Sequence, residues 1–251
     1  MKSKQNRPPM ARPLGVRGHQ KRSILAGSYK AGGEMFVESP DEHTTMLAMD
    51  IDPRTRGILS QPFTVRLDLE KIFPTKSEAL KAVPLPPIDS ETGKQSEEQV
   101  YTPDFSVELT KPTPLIVESK SSIQIAKITA ALERNRLVLN RLGCHYLVVP
   151  STEVEHLGLH SNLEKMRGAM LYRSKNNTES LLDALSKLVT HRNGPFAFGE
   201  IRGQTSDLAF YLGLISGVIG CDLRSGYFGV STQIWPAHGD LAHLQLLKLE
   251  N

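Results

Sequence analysis

Hydrophobic and polar positions along the chain first define a helix that begins at Pro40. In the stretch "ESPDEHTTMLAMDIDP", Ser39 is a favourable N-cap, Pro40 suits the first helical position, and Glu42 completes an S-x-x-E capping box. A residue that precedes a proline disfavours the helical conformation, so the helix is expected to end at Asp52, before Pro53.

Alternating apolar and polar residues then predict three strands. The alternation from Phe63 to Leu69 is typical of a half-buried strand. The stretches "VYTPDFSVEL" and "PLIVESK" supply two more short strands around a proline-rich turn. Between the first and second strand, residues 74–99 are rich in Pro, Ser and charge, which indicates a surface excursion.

A helix and a fourth strand follow these three. Apolar residues recur near helical spacing from Ile125 to Leu142, and Gly143 is a C-terminal stop signal. The stretch "CHYLVVP" is mostly apolar, which predicts a strand buried on both faces. The expected order is therefore helix, three-strand meander, helix, strand.

The remaining pattern predicts a second, smaller domain. An amphipathic helix is expected after Thr178, a second helix after Ser206, and a hairpin in "CDLRSGYFGVSTQIWP". Helix, turn, helix and hairpin together are typical of a winged-helix module. We expect an α/β first domain over residues 34–152 and a winged-helix-like domain over residues 153–251.

Charge sets the N-terminal segment apart. Residues 1–33 contain no Asp or Glu, whereas the rest of the chain holds 22 Lys/Arg against 27 Asp/Glu. The segment lacks hydrophobic periodicity and is expected to be a disordered basic arm. One interpretation is a solubilising tail. The other is a phosphate-binding arm that orders on DNA. Its candidate DNA-binding residues are Arg12, Arg17, Lys21 and Arg22.

Composition also restricts the compartment. Two cysteines, Cys144 and Cys221, are too few for a Cys-based zinc site or a disulfide framework. The longest apolar run, residues 208–221, is too short to cross a bilayer. We expect a cytoplasmic protein and no membrane partner.

The candidate chemistry lies on two neighbouring predicted strands. Side chains two apart on a strand share a face, so Glu118 and Lys120 project to the same side. Asp104 lies near the end of the preceding strand, whose partner carries Glu118. Two carboxylates can hold Mg²⁺, or Mn²⁺ in its place, through oxygen ligands. The metal can then activate water, and the lysine can orient or deprotonate that water, or neutralise a phosphate oxygen.

A third acid is expected from the first helix. Glu42 is the first candidate, although a Glu at this position of a capping box is already accounted for by capping. Glu38, one residue before the cap, is the alternative. The predicted catalytic set is Glu42, Asp104, Glu118 and Lys120, of which the three acids are the predicted metal ligands.

These residues resemble the P-D-x(n)-E-x-K pattern of the restriction-endonuclease-like nucleases. In order and spacing, "ESPDE", "DIDP", "SQPFTV", "YTPDF" and "IVESK" further resemble the TnsA endonuclease family. This resemblance assigns the helix Glu of the family to Glu42, its metal-binding Asp to Asp104, its second metal position to Glu118 and its lysine to Lys120.

The resemblance implies a fold and a function. The fold is a restriction-endonuclease-like α/β core followed by a winged helix. The function is Mg²⁺-dependent hydrolysis of the 5′ strands at transposon ends, in double-stranded DNA, within a heteromeric cut-and-paste transposase. The implied partners are a TnsB-type DDE transposase and a TnsC-type AAA+ regulator, and the implied location is the bacterial cytoplasm, at the nucleoid during the reaction. Two alternatives stay open: a stand-alone restriction or repair nuclease of the same fold, and a non-catalytic winged-helix DNA-binding or assembly protein.

Overall fold

A computed structural model describes residues 23–82, 99–110 and 113–249 of the chain. These residues form a mixed α/β structure with six α-helices and a mixed parallel and antiparallel sheet, so the predicted α/β class is confirmed. The chain divides into two units. Unit 1 consists of Met1–His43 and Arg56–Ser151, and unit 2 of Thr44–Thr55 and Thr152–Asn251.

The central sheet of unit 1 has four strands in the order β3-β7-β8-β9. They are β3 (Thr55–Ser60), β7 (Phe105–Leu109), β8 (Leu115–Lys120) and β9 (His145–Pro150). Strand β7 runs antiparallel to β8, and β8 runs parallel to β9. Helix α3 (Ser122–Arg141) makes the crossover between the two parallel strands and packs on β9.

Two smaller sheets and two helices complete unit 1. The hairpin β1–β2 is one sheet, and the other has the order β5-β4-β6. The elements are β1 (Ile24–Ser28), β2 (Gly33–Val37), α1 (Pro40–Ile51), β4 (Thr64–Arg66), β5 (Lys71–Phe73), α2 (Lys76–Ala82) and β6 (Val100–Tyr101). Helix α1 continues across the boundary into unit 2.

A cluster of buried side chains fills the space between the two larger sheets of unit 1 and α3. It contains Val65, Leu67, Tyr101, Ile116, Val138, Leu139 and Cys144. Because its members come from β4, β6, β8 and α3, it fixes the second sheet against the central one.

An arginine is fully buried beside this cluster. Arg66 donates from Nε and Nη2 to the Asp68 carboxylate and from Nη1 to the carbonyl of Ala79, near the end of α2. The next residue, Leu67, donates its backbone N–H to the carbonyl of Gln99 at 2.8 Å, just before β6. Arg66 at the end of β4 and Leu67 after it therefore form hydrogen bonds with the chain both before and after residues 83–98.

Unit 2 contains three further helices and a three-stranded antiparallel sheet of order β10-β12-β11. The helices are α4 (Leu159–Arg173), α5 (Glu179–Val189) and α6 (Asp207–Ile215), and the strands are β10 (Phe196–Ala197), β11 (Ile219–Cys221) and β12 (Gln233–Pro236). Helix α6 packs against both α4 and α5. No helix in the described ranges has the length and apolar character needed to span a membrane.

Three sequence expectations differ from the structure. The first strand of the meander is β3, whereas the predicted strand from Phe63 to Leu69 is reduced to β4 in another sheet. Strand β9 is not buried on both faces, since Val149 is its only buried residue. The segment expected to be a basic arm, residues 1–33, includes β1, which pairs with β2 along its whole length. Residues 1–22 lie outside the described residues.

Candidate active site

Strand pairing in the central sheet places Asp104 beside Glu118. The register of β7 and β8 pairs Phe105 with Val117, so the next positions along the two strands are Asp104 and Glu118. Opposite residues of an antiparallel pair have their Cβ atoms about 5 Å apart. The backbone N–H of Ser119 also donates to Asp104 Oδ2 at 2.9 Å, which fixes the Asp104 carboxylate against β8.

Lys120 joins the two carboxylates. Its Nζ lies 2.6 Å from Glu118 Oε1 and 3.0 Å from Asp104 Oδ2. The lysine side chain follows that of Glu118 on the same side of β8, as the two-residue period of a strand requires. One cation therefore contacts an oxygen atom of each acid.

Burial gives this group unusual electrostatics. Glu118 is 5% exposed, and its burial, together with the charge of Asp104, raises its pKa to about 7. For Lys120, burial acts to lower the pKa, but the charges of Asp104 and Glu118 outweigh it and raise the pKa. The ammonium group thus stays protonated, whereas Glu118 releases its proton close to neutral pH.

The donor set fits a hard divalent cation. Carboxylate oxygens are the ligands that Mg²⁺ and Mn²⁺ prefer in proteins. The contacts of the Lys120 ammonium show that oxygens of Asp104 and Glu118 are close enough to share one positive charge. These two acids could therefore hold a metal ion.

Tyr101 also belongs to the candidate site, although the sequence pattern does not predict it. Its hydroxyl donates to Glu118 Oε2 at 2.5 Å, on the oxygen that Lys120 does not contact. Its burial and the nearby Glu118 charge raise the pKa of Tyr101 well above its usual value, so it remains a hydrogen-bond donor. Because Tyr101 belongs to β6, in a different sheet from Glu118, no strand alternation in the sequence connects the two.

At the start of α1, Glu42 acts as a capping residue. Its backbone N–H donates to Ser39 Oγ, and its carboxylate accepts from the Ser39 hydroxyl and from the backbone N–H of Glu38. The Glu38 carboxylate accepts a hydrogen bond at 3.0 Å from the Gln61 amide. Both candidate third acids therefore lie in one hydrogen-bonded group.

Gln61 connects this group to Asp104. Its backbone N–H donates to the Asp104 carbonyl at 2.9 Å, while its side chain holds Glu38. No alternation or spacing in the sequence connects the Gln61-Pro62 pair with the site. The four predicted DNA-binding residues, Arg12, Arg17, Lys21 and Arg22, lie outside the described residues.

Comparisons with known proteins add no assignment to this geometry. No protein-family model matches the chain, and a search of curated proteins found no match. The chemistry of the site is therefore read from the arrangement of Asp104, Glu118, Lys120 and their neighbours.

Proposed function

We propose that the protein is a Mg²⁺-dependent DNA endonuclease whose catalytic centre contains Asp104, Glu118 and Lys120. One observation carries the proposal: the Lys120 ammonium contacts the carboxylates of both acids at the ends of paired strands. Two carboxylates and a lysine on one sheet edge supply metal ligands and a positive charge for phosphodiester hydrolysis.

Each residue has a separate part in this reaction. Asp104 and Glu118 would hold the metal, with Glu42 or Glu38 as the third acid. The bound metal would activate water and stabilise the charge that develops on the phosphate. Lys120 remains protonated beside the two acids and can attract and position a phosphate oxygen. Tyr101 holds the far oxygen of Glu118, which keeps that carboxylate directed towards Lys120.

The order of elements in unit 1 supports a restriction-endonuclease-like core. A helix that begins in unit 1 is followed by three strands of one sheet, then by a crossover helix and a parallel fourth strand. Asp104 immediately precedes the second of these strands, and Glu118 and Lys120 lie on the third. In unit 2, two consecutive helices followed by antiparallel strands support a winged-helix module.

For the biological role, we propose the TnsA type of nuclease on the sequence resemblance. The protein would cut the 5′ strands at transposon ends, and a TnsB-type DDE transposase and a TnsC-type AAA+ regulator would be its partners. Residues 153–251 hold nine Lys/Arg against ten Asp/Glu, which supports a division of labour in which the transposase supplies most of the sequence specificity.

The catalytic proposal is tested by 5′-strand nicking of a supercoiled plasmid that carries transposon ends, in Mg²⁺ or Mn²⁺ and with the cognate DDE transposase present. Asp104→Asn, which keeps an acceptor for the Ser119 N–H, should abolish nicking while leaving the protein folded. Glu108→Gln is the matched control, because Glu108 is an exposed carboxylate on β7. Equal nicking by wild type and Asp104→Asn would contradict the proposal.

The transposon role needs a separate experiment with the partner proteins. Labelled transposon-end DNA should be cut on its 5′ strand only when wild-type protein and its cognate DDE transposase are both present. The products should carry a 5′ phosphate and a 3′ hydroxyl. Efficient cutting of unrelated DNA by the isolated protein would favour a stand-alone nuclease. Transposition that survives Asp104→Asn would favour a non-catalytic binding or assembly protein.

A further inference from the structure

Gln61 has a backbone conformation that its residue type disfavours. Its φ is +43°, in the left-handed region that glycine and asparagine adopt more readily. A residue that served only to turn the chain after β3 would be better as Gly or Asn at this position. The glutamine side chain therefore needs a reason of its own.

One side-chain hydrogen bond supplies that reason, and a backbone hydrogen bond extends it to Asp104. The Gln61 side-chain Nε2 donates to Glu38 Oε1, and its backbone N–H donates to the carbonyl of Asp104. The Glu38 backbone N–H in turn donates to Glu42 Oε2 at 2.7 Å. A continuous chain of hydrogen bonds thus connects the acidic start of α1 to the residue at the start of β7.

The remaining polar atom of Gln61 points to the same conclusion. Its Oε1 is buried and has no hydrogen-bond partner among the described residues, although burial of an unpaired acceptor is unfavourable. A strained backbone and an unpaired buried polar atom persist only where other contacts compensate for their cost, which happens often at functional sites. At Gln61, the hydrogen bond from the side-chain amide to Glu38 is such a contact.

We propose that Gln61 is a positioning residue of the metal site, which fixes the separation between Asp104 and the acidic start of α1. This inference rests on the proposed metal-dependent nuclease function. Gln61 binds no metal itself; it acts through Glu38 and, through that residue, Glu42. Either acid then stands at a constant distance from Asp104, whichever of the two completes the metal site.

Gln61→Gly separates this role from a purely structural one. Glycine adopts a positive φ freely and removes the unpaired oxygen, which offsets the stability lost with the Glu38 hydrogen bond, so thermal stability in EDTA should change little. Mn²⁺ affinity, measured by calorimetry on the full chain, should nevertheless fall by about tenfold, the effect typical of losing a residue that orients a metal ligand. Gln61→Asn is the second variant, because Asn tolerates this φ but is too short to keep the Glu38 contact.

Glu70→Gly is the matched control. Glu70 has a similar φ of +46° in the turn between β4 and β5, outside the site. Its replacement should leave Mn²⁺ affinity unchanged. If Gln61→Gly and Gln61→Asn bind Mn²⁺ within about twofold of wild type while Asp104→Asn loses binding, the positioning role is wrong and the nuclease proposal stands. Wild-type Mn²⁺ binding that does not depend on Asp104 would overturn both.

Discussion

At the scale of single residues, the group of Asp104, Glu118 and Lys120 holds two carboxylates against one ammonium. A single ammonium cannot fully compensate both carboxylates, and the cost falls on Glu118, whose side chain is 6% exposed against 15% for Asp104. Its pKa of about 7 is the result. The site therefore gains from any additional positive charge, which is the property expected of a centre that recruits a divalent cation.

The pH dependence of stability should reveal this burial. The pKa of Glu118 rises from 4.5 to about 7 on folding. Between these values the folded protein keeps a proton that the unfolded chain has released, so the free energy of unfolding falls as pH rises. The glutamine side chain of the Glu118→Gln variant does not titrate, so this loss of stability is absent in the variant. In EDTA, the free energy of unfolding of the variant, relative to that of wild type, should therefore increase by up to about 3 kcal/mol from pH 4.5 to pH 7.

Denaturant unfolding at several pH values measures this difference. Lys120 stays charged over the whole range, so it adds no slope of its own. A constant stability difference between Glu118→Gln and wild type would show that Glu118 ionises normally in the folded protein.

Tyr101→Phe should weaken the site without rearranging the core. The variant loses the hydrogen bond to Glu118 Oε2, and hydrogen bonds to charged groups contribute about 1.5–3 kcal/mol to stability. We expect stability to fall by about that amount and plasmid nicking to fall about tenfold or more.

Tyr146→Phe is the control for this variant. The Tyr146 ring lies edge-on to that of Tyr101, with centroids 6.3 Å apart, and its buried hydroxyl interacts with the neutral side chains of Tyr101 and Asn135. Loss of this hydroxyl should lower stability by no more than about 1 kcal/mol and leave nicking nearly unchanged. Equal effects of the two variants would show that Tyr101 acts through packing alone.

At the scale of secondary-structure elements, the space around a helical glycine shows whether another element packs closely against it. A Cβ added at Gly213 in α6 would lie 2.3 Å from Leu185 Cδ2 in α5 and 3.1 Å from Ile219 Cγ1. The helices of unit 2 approach each other closely at this point because residue 213 has no side chain. The G-x-x-x-G spacing of Gly213 and Gly217 thus includes a close helix contact.

Gly213→Ala should destabilise the protein. Overpacking costs about 1–3 kcal/mol, and the better helix propensity of alanine offsets about 1 kcal/mol of it. Gly168→Ala in α4 is the matched control, since a Cβ there meets nothing within 4 Å. It should stabilise the protein by about 0.5–1 kcal/mol. Urea unfolding measures both changes, and a Gly213→Ala variant that is stabilised as much as Gly168→Ala would contradict the packing argument.

The elements that the sequence predicts are those whose start signals are local. Ser39 caps α1, and Ser206 accepts a hydrogen bond from the backbone N–H of Ala209 at the start of α6. The sequence does not predict strand β3, because two of its inward residues, Thr55 and Ser60, are polar and interrupt the alternation. It does not predict helix α4, because Gly168 and the buried Asn162 interrupt the helical pattern of apolar residues.

Long-range contacts explain the rest of the difference. Asn162 is fully buried in unit 2, where its side chain bonds the carbonyl of Gly226 and the N–H of Phe228. In unit 1, strand alternation brings Glu118 and Lys120 together, but Tyr101 and Gln61 reach the site through pairings between distant segments. Periodicity in a sequence does not contain such pairings.

At the scale of the whole molecule, the chain separates basic charge from its proposed catalytic centre. Seven Lys/Arg residues precede β1 without an intervening acid, and their positions are 2, 4, 7, 12, 17, 21 and 22. Because DNA affinity depends on counterion release by such residues, this segment should control the salt dependence of binding.

Deletion of residues 1–22 tests this expectation while sparing β1, which begins at Ile24. The slope of log affinity against log salt should become shallower by about 0.9 for each lost phosphate contact. Full-length protein with Arg12, Arg17, Lys21 and Arg22 changed to Gln should show the same flattening if these residues make the contacts. An unchanged slope in both proteins would indicate a solubilising tail.

The hydrogen bonds of Arg66 and Leu67 have a consequence for how Tyr101 reaches the acids. These neighbours hold Ala79 and Gln99, so two distant points of the chain are fixed beside β4. Gln99 lies two residues before Tyr101, and β6 pairs with β4 at Val65 and Arg66. The position of the Tyr101 hydroxyl beside Glu118 is therefore set by β4, and not by the length of chain that separates Ala79 from Gln99.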